Sequence, residues 1–368
     1  MRYCVPIMTD QRGNKHKAGA YIWSDPECRG VVVTEALSKM KRWKVGLLLR
    51  IAVALLSTAG ALEAKSVTLT DKLGRVVTIH VPVSRAVIFQ TYELIPALGI
   101  WDYVVGIGSH AYDNDLIKAT KPDVADVIPS LGSGDDINVE ALLKLKPEIV
   151  ITWAYRPDSV KFIEEKGITV LVLSPESLSE FYETTRIHGR IFGKEAKAEA
   201  CIAAMEKVFS FVKDKVSPIR PEARRKVLWL LGKPTTVACS LAVSNDLIKL
   251  MGGTNPAATI SHTSLDVSME QIVAWNPDVI FIWGYAGYTA ESLLSNAQWR
   301  SVAAVKQGKV FKAPLWSTWS PRVAPVVLWM AMKTYPESFA DVDGDKMFDE
   351  FYRQVFGIRY DKVNRIEQ

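Results

Sequence analysis

The chain has 368 residues, 48% apolar and 23% charged, a composition that suits a globular protein with room for one large or two ordinary domains. Its formal charge of +5 sits at the N-terminal end: residues 1–64 hold ten of the 45 Lys/Arg and five of the 40 Asp/Glu, leaving 35 of each in residues 65–368. A neutral body without a basic run excludes the electrostatics of nucleic-acid binding.

In chain order, residues 1–39 read as an extension of doubtful standing, and translation is expected to start at Met40. Residues 40–64, "MKRWKVGLLLRIAVALLSTAGALEA", have a basic start, an apolar stretch and small residues, the pattern of a secretory signal peptide cut after Ala61 or Ala64. Arg50 leaves about eleven uncharged residues behind it, fewer than a bilayer span needs, so a retained anchor is the weaker reading. No cysteine follows until Cys201, which excludes lipid attachment at a mature N-terminal cysteine and favours a free periplasmic protein. Only Cys201 and Cys239 remain after cleavage. Spacing leaves open whether they pair, and no CxxC or Cys/His group suggests zinc or redox chemistry.

Two segments superimpose without a gap at an offset of 130: "VEALLKLKPEIVITWAY" (139–155) and "MEQIVAWNPDVIFIWGY" (269–285). Each predicts a short amphipathic helix, a Pro-acid turn, a buried parallel strand and a Trp-x-Tyr pair at the strand's end. Further strand signals at 85–89, 103–108, 169–173, 226–231 and 309–314 alternate with helical stretches. The fold class expected is α/β: two Rossmann-like lobes with parallel sheets, residues 67–176 and 224–356, joined by one long helix over 177–216, bent if at all near Gly189 or Gly193. Ligands of parallel sheets bind beyond the strands' carboxyl ends, so both Trp-x-Tyr pairs are expected to face one inter-lobe cleft.

The order of motifs over residues 67–356 resembles the periplasmic substrate-binding proteins of ABC importers for iron complexes, haem and vitamin B12, the class with a rigid inter-lobe helix. "DKLGRVVTIHVPVSRAVIFQTYELIPALGIWDYVVGIG" (71–108), "SLGSGDDINVEALLKLKPEIVI" (130–151), "MGGTNPA" (251–257), "SVAAVKQGKVFKAP" (301–314) and "SPRVAP" (320–325) carry the likeness. It implies a receptor that hands a metal chelate, a ferric siderophore first and haem, cobalamin or a nickel or cobalt chelate next, to an inner-membrane ABC permease. It also implies that Glu140 and Glu270 dock to that permease; each also suits the first turn of a helix beside its dipole.

From the residues themselves, Trp153, Tyr155, Trp283, Tyr285, Trp316 and Trp319 read as aromatic cleft walls, the alternative for each being a core position. Arg156 and Arg322 read as cations for an anionic chelate. His110 and His262 fall in cleft loops, His110 being the first candidate for ligand contact or axial ligation; Tyr92, Tyr112 and Tyr288 are similar candidates of lower weight. Four histidines in the mature chain are too few for a bare-ion site, so no protein-held metal and no cofactor is expected, only an iron chelate as cargo. No nucleotide loop, G-x-S-x-G or cysteine cluster supports an enzyme, and a metal-cluster oxidoreductase subunit is the remote alternative. A monomer is expected.

Overall fold

The computed structural model describes residues 65–364 except 135 and 154–156. The extension, the signal segment, Tyr155 and Arg156 lie outside the described residues. Among the described residues no helix is long and apolar enough to cross a membrane.

The chain enters through an antiparallel hairpin, β1 (Ser66–Thr70) and β2 (Val76–His80). The first lobe then builds a four-stranded, all-parallel sheet in the order β4-β3-β5-β6, from β3 (Ala86–Ile88), β4 (Val104–Ile107), β5 (Ile149–Thr152) and β6 (Thr169–Val172). Its helices are α1 (Leu94–Leu98), α2 (Asp115–Thr120), α3 (Val124–Val127), α4 (Val139–Leu145) and α5 (Pro157–Glu164).

The single helix expected over 177–216 is instead a hairpin of α6 (Leu178–Phe192) and α7 (Glu195–Val216). Gly193 ends α6 in the left-handed region at φ 63°, where a residue without Cβ carries no steric penalty. The pairs Arg186–Glu199 and Tyr182–Glu206 show that α7 runs back along α6. Gly189 permits the close packing, since a Cβ there would lie 2.8 Å from that of Ala198. The connection between lobes is therefore α7 alone, 22 residues or about 33 Å long.

The second lobe holds β7 (Val227–Leu230), β8 (Thr236–Ala238), β9 (Ser264–Asp266), β10 (Val279–Ile282) and β11 (Val310–Lys312) in the order β11-β10-β7-β8-β9. Three strands are parallel as expected, but β8 and β9 form an antiparallel edge. The turn at Leu231–Thr235 is too short for a crossover, so β8 must fold straight back on β7. The helices are α8 (Val243–Leu250), α9 (Met269–Trp275), α10 (Ala290–Leu294), α11 (Ala303–Lys306), α12 (Val323–Thr334) and α13 (Gly344–Phe356).

The repeat holds residue for residue: α4 and α9, and β5 and β10, keep the offset of 130 at both ends. Asn138 caps α4 by accepting from Ala141 N at 3.0 Å, and Ser268 caps α9 by accepting from Gln271 N at 3.2 Å. Lys146 and Asn276 close the helices in the left-handed region at φ 47° and 44°. The acid after each proline ties down the neighbouring central strand: Glu148 accepts from Ser84 N at 2.8 Å, Asp278 from Lys226 N at 2.7 Å. Along β10 the side chains alternate between cores, Val279 and Phe281 to one face, Ile280 and Ile282 to the other.

Each sheet has its own outer core, but the inner core is common to both lobes. It runs from Ile88, Leu94 and Ile151 through Met205 and Phe209 of α7 to Trp229, Phe281 and α12. The boundary expected at residue 356 is crossed as well: Asn364 N donates to Asp115 of the first lobe at 3.0 Å.

Candidate functional site

Between the lobes lies a cavity of about 670 Å³, within the range of small-molecule sites. Its walls follow the carboxyl ends of the strands. Gln90 and Tyr92 come after β3, His110 after β4, Trp153 after β5 and Ser174 after β6; opposite them stand Trp283 and Tyr285 after β10 and Ser317–Trp319 after β11. That is where doubly wound sheets present ligand-binding loops, because the helix-covered faces leave only the strand ends open.

The second-lobe wall is held by a close approach of two loops. A Cβ on Gly284 would stand 2.0 Å from Pro314 O, so only glycine lets the β10 and β11 loops touch. Tyr285 Oη donates to Leu315 O at 3.0 Å, and its ring lies 5.3 Å from that of Trp283. Across the floor Tyr92 of the first lobe and Tyr285 of the second face each other closely enough for each to perturb the other's acidity. Burial, then the Tyr285 and Glu93 oxygens, push the Tyr92 phenol far up; burial and Glu93 raise Tyr285 to about 12. Both are neutral phenols at ordinary pH, offering a flat face and a hydroxyl.

Thr91, between the two cleft residues Gln90 and Tyr92, has φ 59°, a conformation costly for a β-branched residue. Its hydroxyl lies 3.1 Å from Nε2 of His188, whose Nδ1 donates to Thr184 O at 2.8 Å. Burial lowers the His188 pKa to about 4, which keeps the ring neutral and Nε2 an acceptor.

Of the expected wall residues, Trp153, Trp283, Tyr285, Trp319, Tyr92 and His110 line the cavity. Trp316 and Arg322 do not. Trp316 is 3% exposed, packs against Tyr352 and lies under the Arg322 guanidinium, 4.8 Å from ring to carbon. Arg322 is fully buried; its forked donors bind Glu93 and, at 2.7 Å, Asp115. Burial opposes its charge, yet Glu93 and the other facing oxygens hold its pKa well above the ordinary value. A guanidinium so buried and paired is out of reach of an anion in the cleft. Lys72, a lining cation the sequence reading missed, is shared between Glu176 at 3.0 Å and Glu180 at 3.1 Å.

Residues 89–315, more than half of the chain, match the periplasmic binding protein family. The chain belongs to that family. It is 24% identical to the molybdate-binding protein MolA of Haemophilus influenzae over 80% of this chain and 92% of that one. It is 26% identical to the Fe(3+)-citrate-binding protein YfmC of Bacillus subtilis over 71% and 82% respectively. The structure superimposes on Helicobacter pylori CeuE in its nickel–histidine complex with a TM-score of 0.73 at 26% identity, covering 82% of this chain and all of the other.

In this binding protein the secondary candidates stand off the cleft. His262 is exposed, Tyr112 donates to Ile128 O at 2.6 Å, and Tyr288 donates to Leu231 O at 2.7 Å. Trp229 was missed as a wall residue because, inside a buried strand, it reads as core; it is both, packing on Phe281 and lining the cavity. Glu140 and Glu270 are exposed in the first turns of α4 and α9. The Glu270 backbone N–H and the Ser268 hydroxyl hold the Glu270 carboxyl below the usual range, while Glu140 pairs with Lys144 at 2.8 Å. Cys201 and Cys239 are both free and buried in separate cores. Among the described residues no cluster of three His, Cys, Asp or Glu could hold a metal ion unaided.

Proposed function

We propose that the protein is the periplasmic receptor of an ABC importer, capturing a metal chelate between its lobes and delivering it to the inner-membrane permease, with no bond broken. The observation that carries this reading is the aromatic cavity itself: Trp153, Trp229, Trp283 and Trp319 with two neutral tyrosines. Such walls suit a bulky, partly flat organic complex; a bare cation would need clustered carboxylates and imidazoles. A ferric siderophore is the leading ligand. A nickel or cobalt chelate of low net charge is the second reading. It is favoured by the rim, where Lys72 faces the two carboxylates of Glu176 and Glu180 and these groups leave no excess positive charge for an anion, and by exposed His110, free of the core, as a candidate axial ligand. Arg156, which follows the first-lobe tryptophan in sequence, is the remaining candidate for an anionic group.

Glu140 and Glu270 are proposed as the docking points, one on each lobe. Each helix runs against its strand, so both carboxylates stand at the strand-end side, where a permease with two similar halves meets two similar patches. Native mass spectrometry and absorbance of protein purified from its own periplasm test the ligand: a charge-transfer band indicates a ferric chelate, a Soret band haem, a corrin spectrum cobalamin. Protein that retains no chelate and binds none sinks the reading. Reversing both glutamates is expected to abolish stimulation of the permease ATPase and leave chelate affinity unchanged.

A further inference from the structure

We infer that Glu93, Asp115 and Arg322 form a clasp between the lobes that fixes the width of the cleft, and with it the meeting of Tyr92 and Tyr285 across the floor. The inference rests on reading that cleft as the ligand site. Three separate segments supply the clasp: Glu93 precedes α1 and Asp115 opens α2 in the first lobe, and Arg322 precedes α12 in the second. Side-chain exposure is 0% for Arg322, 1% for Glu93 and 12% for Asp115. Two guanidinium nitrogens hold the Glu93 carboxylate and the third holds Asp115.

Further groups surround the clasp. Asn114, which caps α2 through its carbonyl oxygen, donates its amide to Glu93 Oε1 at 2.6 Å. Ser320 donates to Glu93 Oε2 while accepting from Arg322 N at 3.0 Å. Trp316 covers one face of the guanidinium, and Asn364 N occupies the second oxygen of Asp115.

A buried ion pair gains little over apolar packing, but separating it strands two desolvated charges. Hinge opening at this point would do that, so the lobes cannot part here as they could across a surface salt bridge. Tyr92 is tied directly to the clasp and Tyr285 indirectly, through Leu315 and Trp316. Tyr92 is the neighbour of Glu93, in a turn pinned by the Thr91–His188 contact. Tyr285 is bonded to Leu315 O, the residue before Trp316. Glu93, Asp115 and Arg322 are thus positioning residues: they touch no ligand and set the spacing of groups that do.

The test needs no ligand, so it fails or succeeds independently of the chelate reading. Spin-labelled non-canonical residues at Val127 and Leu265, exposed by 53% and 40% on the first and second lobes, report the inter-lobe distance in the full chain by double electron–electron resonance. The native protein is expected to give one narrow distribution. The double variant Glu93→Gln/Arg322→Met removes both charges together and is expected to broaden it and add a longer population; Arg322→Lys, which keeps the charge without the fork, is expected to fall between. A double variant that melts cooperatively with the native distribution overturns the clasp. Should that variant not fold, Asp115→Asn decides alone: a shift to longer distances supports the clasp, and an unchanged distribution overturns it.

Discussion

In the first lobe the repeated unit ends in Trp153, 9% exposed and packed over Gly134, whereas in the second the matching Trp283 is half-buried and lies against the Tyr285 ring. The helix ends of the two units are alike to the level of single hydrogen bonds. Both helices have a side-chain N-cap, both end in the left-handed region, and a cation of the neighbouring strand's start reaches each helix's last carbonyls, Arg85 at Leu145 and Lys146, Lys226 at Trp275. The likeness is local chemistry, and the differences come from what the rest of the chain lays over each copy. The β11 loop descends onto the second copy through Gly284, where the first copy carries Ala154. Lys144 neutralises Glu140, where the second copy has Ala274 and leaves Glu270 without that partner. Leu143 and Val273, matching positions one turn on, remain equally exposed at 38%.

Acid titration is expected to separate the lobes most strongly. His188, held against the first-lobe turn at Thr91, has its folded pKa depressed to about 4 from 6.5, so the unfolded chain binds the extra proton between those values. Its contribution is complete above about pH 6.5 and is lost as pH falls toward 4, at about 1.4 kcal/mol per pH unit. Urea unfolding of the native chain and of His188→Gln at pH 7, 5.5 and 4.5 checks this; parallel pH dependences would show that His188 does not carry it.

Gly284→Ala is expected to cost about 1–3 kcal/mol by forcing the β10 and β11 loops apart. It should also weaken chelate binding, because Tyr285 moves with the loop. Calorimetric melting and ligand titration read the two effects. An alanine tolerated without loss would show that the second copy has the slack of the first.

The smallest effect tests the likeness. Asn138→Ala and Ser268→Ala should each cost about 1 kcal/mol, equally and additively, since each removes one N-cap from an equivalent helix. Chemical denaturation of the two single variants and the double variant measures this, and unequal losses would mean that the lobes do not share one local code.

Much of the fold was legible because its determinants are short-range. A continuous β-branched run bounded by a proline and an acid reads as a buried strand wherever it occurs, and the exact offset of 130 marks two such units. The strand-end rule then located the cleft, with Trp153, Trp283, Tyr285, Trp319, Tyr92 and His110 around it. The helix break at Gly193 was visible as a glycine, but helix formers beyond it on both sides read as one long helix, and the reversal came only from the packing of α7 back along α6. Trp229 was hidden because one side chain can serve core and cavity at once.

Arg322 marks where sequence reading ends. An arginine beside two tryptophans and three prolines has the composition of a binding loop, and nothing within reach of it along the chain says otherwise. Its partners Glu93 and Asp115 lie 229 and 207 residues away and come within bonding distance only when both lobes close on α7. Local propensity and hydrophobic pattern determined the strands, the caps and the doubled unit, since each depends on neighbours within a few residues. Which charges are spent inside the protein and which are left for a ligand was decided by tertiary packing, because electrostatic pairing depends on distance in space and on exclusion of water, and neither is written in order along the chain.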